Sequence, residues 1–283
     1  MLEFEVDIPP EVAADLATRV MALWPGQEVL TNGSGLRFWV PMSQGLDEQL
    51  KRLEDTFQAL EKSRGLEELR ISETNTEGPD SIPERVCLGR FVIHQPDVAP
   101  RLEPGQVALC VNAGPCFGTG GHPSTALMLT AMEEFFNPPP GLPSRQGCMV
   151  LDAGTGSGIL TLAAVTLGAG SILAVDTDPS AVQAAQSNLE ANQAIENVEV
   201  INMSADQVEG KFDLILANLV PSVLTRTVKK LAKRLAEGGV LIVAGFADIQ
   251  TPQVLRALTK VEMVTQKSYS RAGWGALTLT KMD

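Results

Sequence analysis

Cysteine, histidine and tyrosine are scarce in this chain of 283 residues, with four, two and one respectively. Cys87, Cys110, Cys116 and Cys148 show no C-x-x-C spacing, and only His94 and His122 could join them as ligands. A donor set this thin predicts no metal site, and it reads as reduced thiols in a cytoplasmic protein rather than a disulfide framework. Positive charge is also short: 34 acidic against 22 basic residues give a formal net charge of −12. That balance argues against binding by phosphate neutralisation, so no direct nucleic-acid partner is expected. The N-terminus, MLEFEVDIPP, has neither the basic nor the apolar segment of a signal peptide. There are no internal repeats and no low-complexity tracts.

One uncharged stretch, Ala153–Val175, is long enough to raise a membrane helix. Five glycines and scattered Ser and Thr interrupt it, so it reads as a strand, a turn, a helix and a second strand inside a globular domain. No membrane partner is expected, and a monomer is. Hydrophobic content of 44% then suffices for a real core. The acidity is local. Residues 1–80 hold 16 acids and 7 bases, whereas 81–283 hold 18 and 15. An acidic first domain suits a basic protein as partner.

Within residues 1–73, Leu2, Phe4, Val6 and Ile8 alternate with acids, the pattern of a half-buried strand. Val12, Leu16, Val20 and Trp24 mark one face of a helix. Gln27–Thr31 and Leu36–Val40 flank Asn32-Gly33-Ser34-Gly35, a hairpin signal. Leu46, Leu50, Leu53, Phe57 and Leu60 mark a second helix, and Leu66–Ile71 a last strand. The order βαββαβ predicts a small α+β ferredoxin-like domain. Residues 74–84, polar and carrying Pro79 and Pro83, read as a linker.

From residue 85 to 283 a second domain is expected. Val86–His94 and Gln106–Val111 read as strands, followed by a Gly-rich loop and a helix over 123–136. From Cys148 onward the pattern is strictly βα. Its strands are almost continuously apolar, which means both faces are covered and the sheet is parallel. The last two strands, Met263–Ser270 and Ala276–Lys281, have no helix between them. The fold class expected is α/β, a doubly wound sheet ending in an antiparallel hairpin, which resembles class I methyltransferases.

The strongest motif is Val150-Leu151-Asp152-Ala153-Gly154-Thr155-Gly156-Ser157-Gly158. Glycines allow a tight turn and close approach of a ligand. Asp152, at the end of the first strand, suits a cation or amine better than a pyrophosphate. S-adenosylmethionine offers both a sulfonium and an α-amino group, although a dinucleotide site stays open on the glycines alone. Asp176, ending the next strand, can accept both hydroxyls of a ribose, in an adenosylmethionine or an NAD site alike. Asp178 reads as a helix cap. Asp206 sits where an adenine amino group could be bound, or faces solvent. Asn218, ending the fourth strand, points to the crevice where ligands bind, where its amide could orient an amine nucleophile; the bland alternative is a helix N-cap before Pro221. The loop Phe117-Gly118-Thr119-Gly120-Gly121-His122-Pro123-Ser124-Thr125 lacks the lysine of a P-loop. His122 is either a general base or a residue that fixes this loop.

In this order and spacing, FGTGGHPST, LDAGTGSGIL, AVDTDP and LILANLV resemble the PrmA family, methyltransferases of the large-subunit ribosomal protein L-eleven. The resemblance covers roughly residues 105–283. It implies S-adenosyl-L-methionine as cofactor and transfer of methyl groups to lysine or N-terminal amines of a basic protein, a ribosomal one. It places Thr125, Gly154, Asp176 and Asn218 on the family's cofactor-binding positions, and it implies a ferredoxin-like first domain that docks the substrate. Two other readings are weighed: a lysine methyltransferase for another protein, and an NAD-dependent oxidoreductase. The latter leaves the loop at 117–125 and the terminal hairpin unexplained.

Overall fold

The computed structural model describes residues 2–7, 16–21, 29–31, 35–40, 51–52, 55–56, 70–75, 85–112, 118 and 120–281. The chain divides into two compact units, Met1–Ile82 and Pro83–Asp283.

In the first unit β1 (Leu2–Asp7), β2 (Val29–Thr31), β3 (Gly35–Val40) and β4 (Arg70–Asn75) form an antiparallel sheet in the order β2-β3-β1-β4. This is the strand order of a split βαβ arrangement. The hairpin pairs Thr31 with Leu36 and Val29 with Phe38. Residues 16–21 are helical, with Leu16 and Val20 fully buried. Residues 51, 52, 55 and 56 are helical too, and Thr56 donates to the Arg52 carbonyl at 2.7 Å. Val12, Trp24, Leu46, Leu50, Leu53, Phe57 and Leu60 lie outside the described residues. The last strand differs from its sequence reading. It runs to Asn75, into the expected linker, because β1 pairs along its whole length, Leu2 with Asn75 through Asp7 with Arg70.

The second unit opens with a correction. Val86–His94 is not one strand but a tight hairpin, β5 (Arg85–Leu88) and β6 (Phe91–His94), paired antiparallel. Gly89, at φ +58, makes the turn that a single strand could not contain. β7 (Val107–Cys110) then pairs parallel to β6.

A seven-stranded sheet follows: β8 (Met149–Ala153), β9 (Ser171–Asp176), β10 (Val198–Asn202), β11 (Phe212–Asn218), β12 (Leu235–Ala247), β13 (Met263–Arg271) and β14 (Trp274–Lys281). Its order is β10-β9-β8-β11-β12-β14-β13. The first five strands are parallel and β14 runs antiparallel to both neighbours. This is the doubly wound sheet with a terminal hairpin expected from the sequence.

A side-chain acceptor caps the helices that start at Pro123 and Pro179, and four of the five described α-helices of this unit carry proline at the first or second position. The five are α1 (Pro123–Phe136), α2 (Ile159–Leu167), α3 (Pro179–Ala191), α4 (Pro221–Arg234) and α5 (Thr251–Thr259). Asp178 caps α3 by accepting from the Ser180 amide at 2.8 Å, as its position predicts. Alternate residues of each strand serve opposite faces. Leu214, Leu216, Ile242 and Ala244 pack with α1 and α2, whereas Ile215, Ala217, Leu241 and Val243 pack with α4 and α5. The uncharged stretch 153–175 becomes the end of β8, a turn, α2 and β9. No helix among the described residues is long and apolar enough to cross a membrane.

Candidate active site

The sheet reverses direction of growth at β8, whose neighbours are β9 and β11. Ligands of open α/β sheets bind outside the carboxyl ends of the strands at such a point. The ends of β8, β9 and β11 carry Asp152, Asp176 and Asn218, and the Gly-rich turn lies directly beyond β8.

The turn is held by the neighbouring strand. The amides of Gly154 and Thr155 donate to the Val175 carbonyl at 2.8 and 3.0 Å. Gly154, Gly156 and Gly158 all have positive φ, at +83, +55 and +81. Two of them are also crowded by the protein itself. A Cβ on Gly154 would meet the Leu219 side chain at 2.5 Å, and one on Gly158 would meet the Cα of Ala185 in α3 at 3.1 Å. Their φ and the neighbouring protein already account for both, so neither is evidence of a ligand by itself. Gly156 has a different role: its amide donates to Asp176 Oδ2 at 3.0 Å.

Asp176 is thereby fixed at the tip of β9. Its Oδ1 accepts from the Asp178 amide at 3.0 Å. Each carboxylate oxygen keeps acceptor capacity beyond these bonds. Asp152 is fully buried. Its Oδ2 accepts from the Thr155 and Thr161 hydroxyls at 2.8 and 2.7 Å, while Oδ1 has no partner. Burial pushes its pKa up to about 6, and the nearby Asp176 adds to the rise.

The loop before α1 docks on the turn. Ser157 Oγ donates to the Gly118 carbonyl at 2.7 Å. Gly118 and Gly120, at φ +109 and +89, abut Ser157 and Ile93 so closely that no side chain fits. Phe117 and Thr119 lie outside the described residues. Thr125, in the first turn of α1, is fully buried with its hydroxyl unpartnered.

His122 is the N-cap of α1. Its Nδ1 accepts from the Ser124 amide at 3.1 Å and lies 2.7 Å from the Ser124 hydroxyl. Its ring packs edge-on against Trp274 at 4.3 Å. Burial lowers its pKa to about 4. These contacts are those of a residue that fixes a loop. The sign of the linkage follows: between pH 6.5 and about 4 the unfolded chain binds this proton and the folded chain does not. Stability should therefore fall as pH drops through that window, by up to roughly 3 kcal/mol. The raised pKa of Asp152 acts in the opposite sense, so the wild type alone cannot isolate the effect. His122→Asn keeps a capping acceptor and removes the titration. Urea unfolding of both proteins at pH 7 and pH 5 should show a smaller loss for the variant. Equal losses would assign the pH dependence elsewhere.

Asn218 is not the cap of α4; that position is Val220, without a side-chain bond. Its Oδ1 is buried and unpartnered. Asp206 is not left in solvent alone. Ser204 Oγ donates to it at 2.5 Å and Lys230 pairs with it at 2.9 Å, and together these hold its carboxyl below the usual range.

Sequence reasoning missed the residues that tie this site together. Asn188 of α3 is buried and all its side-chain hydrogen-bonding groups are engaged: Nδ2 donates to the Ser157 carbonyl at 2.8 Å and the Asn112 carbonyl at 3.0 Å, and Oδ1 accepts from the Asn112 amide at 2.9 Å. Asn192 grips Cys110 in the same way, accepting from its amide at 2.9 Å and donating to its carbonyl at 2.6 Å. The signal was present. Ala181, Ala185 and Asn188 lie at i, i+4 and i+7, so an asparagine falls on the buried stripe.

Comparison with known proteins decides the family. Residues 82–282 match the family model described as Ribosomal protein L11 methyltransferase (PrmA). The chain belongs to this family. A ribosomal protein L11 methyltransferase of Pelobacter propionicus is 39% identical over 175 residues, covering 62% of this chain and 55% of that protein. One of Geobacter sp. strain M21 is 36% identical over 199 residues, covering 69% and 63%. The chain thus spans somewhat over half the length of these curated relatives. The crystal structure of a ribosomal protein L11 methylase from Lactobacillus delbrueckii subsp. bulgaricus aligns with a TM-score of 0.62 at 28% identity, covering 71% of this chain and all of that one. Membership in the PrmA family agrees with the motifs that suggested it, and with the sheet order.

Proposed function

We propose that this PrmA-family chain is an S-adenosylmethionine-dependent methyltransferase that modifies amino groups of a ribosomal protein. The observation that carries the reading is a set of buried, unpartnered polar atoms, Asp152 Oδ1 and Asn218 Oδ1 at strand ends and Thr125 Oγ1 in the first turn of α1. Buried polar atoms are normally satisfied, and each exception calls for an explanation. Three of the four such atoms among the described residues belong to residues singled out for the site. They offer a hydroxyl, a carboxylate and an amide oxygen, acceptors suited to the cationic and amino groups of this cofactor. Asp176 would hold the ribose, and the Gly156 amide presets its carboxylate for that task. Asp176 would serve the ribose of either cofactor, but the buried carboxylate of Asp152 offers a pyrophosphate nothing.

Bound adenosylmethionine supplies a methyl group already activated by its sulfonium. The chain then has to align the nucleophile and help it lose its proton. A lysine amine at pH 7 lies about 3.4 units below its free pKa, so its neutral form costs on the order of 4–5 kcal/mol. Desolvation in the crevice lowers that cost. Asn218 would accept a hydrogen bond from the amine and orient its lone pair. His122, held neutral and already engaged through Nδ1, serves the loop. Residues 1–73 would dock the substrate through their negative charge, and the whole would work in the cytoplasm.

Asn218→Ala should lower turnover by about 100-fold, more than it lowers adenosylhomocysteine affinity, because alignment is lost at the transition state. His122→Asn should lower it less than tenfold. Both are measured as methyl transfer to purified ribosomal protein at saturating cofactor. A loss beyond 100-fold in His122→Asn, with disappearance of a pKa from the rate profile, would make His122 the base. Absence of methyl transfer to the ribosomal protein by the wild type would end the substrate reading.

A further inference from the structure

Positive charge in the second unit is concentrated where the proposed reaction does not use it. Between Asp213 and Glu237 stand five basic residues and no acidic one: Arg226, Lys229, Lys230, Lys233 and Arg234. All five are on α4. Arg226, Lys229, Lys230 and Lys233 recur at i, i+3, i+4 and i+7 and are exposed, while Leu224, Val228 and Leu231 bury the opposite face. α5 packs beside α4, and a groove of about 540 Å³ runs between them. Lys229 lines it from one side, Arg256 and Lys260 from the other, and no acidic residue lines it. Lys230 pairs with Asp206. Among the described residues, Arg226, Lys229, Lys233, Arg256 and Lys260 have no ion pair.

Local stability does not explain this arrangement. Like charges three and four residues apart destabilise a helix. The helix dipole favours Lys233 and Arg234 in the last turn, but Arg226 and Lys229 lie in the middle of α4, outside its reach. The net charge of the chain hides the patch, because residues 1–80 alone contribute 16 acids against 7 bases.

We propose that the α4–α5 groove docks the phosphate backbone of RNA. The row from Arg226 to Lys233 extends roughly 10 Å along the helix axis. Across the groove from Lys229 stand Arg256 and Lys260, so the site offers three separate cations, enough for about three phosphates. An open line of separate cations suits such a regularly spaced polyanion better than one compact anion, which calls for convergent donors. The choice of RNA rests in part on the ribosomal substrate proposed above, because a ribosomal protein is itself a partner of RNA. A surface of this kind would bring the enzyme to its substrate without entering the chemistry.

The test uses the full chain and a fluorescently labelled 30-nucleotide RNA stem-loop, followed by anisotropy from 50 to 200 mM KCl. With three phosphate contacts the affinity should fall by roughly 40-fold over that range. The triple variant Lys229→Gln, Arg256→Gln, Lys260→Gln should bind the RNA at least tenfold more weakly at 50 mM and show a flatter salt dependence. Its adenosylhomocysteine affinity by calorimetry and its methyl transfer to isolated ribosomal protein should match the wild type. No RNA binding at 50 mM, salt-independent binding, or an unchanged triple variant would each overturn the proposal. So would binding to phosphatidylglycerol vesicles without binding to RNA. If instead the wild type binds RNA as expected but transfers no methyl group, the groove stands and the methyltransferase reading falls.

Discussion

Asp176→Ala should weaken adenosylhomocysteine binding by ~10–100-fold, about 1.4–2.7 kcal/mol, with no detectable binding of NAD to either protein. Two effects combine in that number. The substitution removes the carboxylate proposed to accept the ribose hydroxyls, and charge-assisted bonds of this kind are worth more than neutral ones. It also releases the Gly156 amide, which Asp176 Oδ2 holds at 3.0 Å. Gly156 sits at φ +55 in the middle of the turn, so the turn loses the anchor that presets it. Asp176→Asn separates the two effects. Its single carbonyl oxygen can serve either the Gly156 amide or a ribose hydroxyl at full strength, so its loss should be intermediate. Titration calorimetry reads all three proteins. An unchanged affinity in Asp176→Ala would show that the ribose lies elsewhere and that the turn does not need its acid.

How far the sequence reached depends on which physical signal each feature leaves. The parallel sheet was legible because apolar runs such as Leu214–Ala217 and Val240–Val243 are covered on both faces, and because Pro123, Pro179 and Pro221 mark helix starts. The hairpin at Gly89 was not legible. A lone glycine in an apolar run reads as a weak point in a strand, and only the pairing of Arg85 with His94 turns it into a reversal. Strand β4 was misplaced by a few residues because its sequence, RISETN, carries one aliphatic side chain, and its pairing with β1 sets its length.

The site shows the same division. Asp152, Asp176 and Asn218 stood out because a polar residue at the end of an apolar strand is conspicuous. What each one touches was not written in the spacing. Asp206 meets Lys230, twenty-four positions away on α4, and no local pattern announces that pair. Gly154 and Gly158 matched a ligand-binding fingerprint, yet their immediate neighbours are Leu219 and Ala185. A motif therefore records the backbone geometry that a site requires, and the contact that enforces each glycine can belong to the protein rather than to the ligand.

Asn188 and Asn192 allow the support of this site to be separated from its stability. Both asparagines bond the end of β7 and the segment that continues it, Asn192 at Cys110 and Asn188 at Asn112. Only Asn188 also reaches the Gly-rich turn, through the Ser157 carbonyl. Asn192→Ala removes the side chain that bonds the half-buried Cys110 amide and carbonyl, and Asn188→Ala removes the bond to the buried Ser157 carbonyl, which should destabilise the fold by roughly 1–3 kcal/mol in each case. Cofactor affinity should divide the two variants. Asn188→Ala frees the turn beside Gly156 and should weaken adenosylhomocysteine binding by ~10-fold or more, while Asn192→Ala should weaken it by less than ~3-fold, since the group it loses is remote from the turn. Urea unfolding and calorimetry on the same preparations give both numbers. Equal losses of affinity in the two variants would mean that general loosening, and not the bond to Ser157, governs the site. An undiminished affinity in Asn188→Ala would mean that the turn holds its shape through its other bonds, those of the Gly154 and Thr155 amides to the Val175 carbonyl and of the Gly156 amide to Asp176.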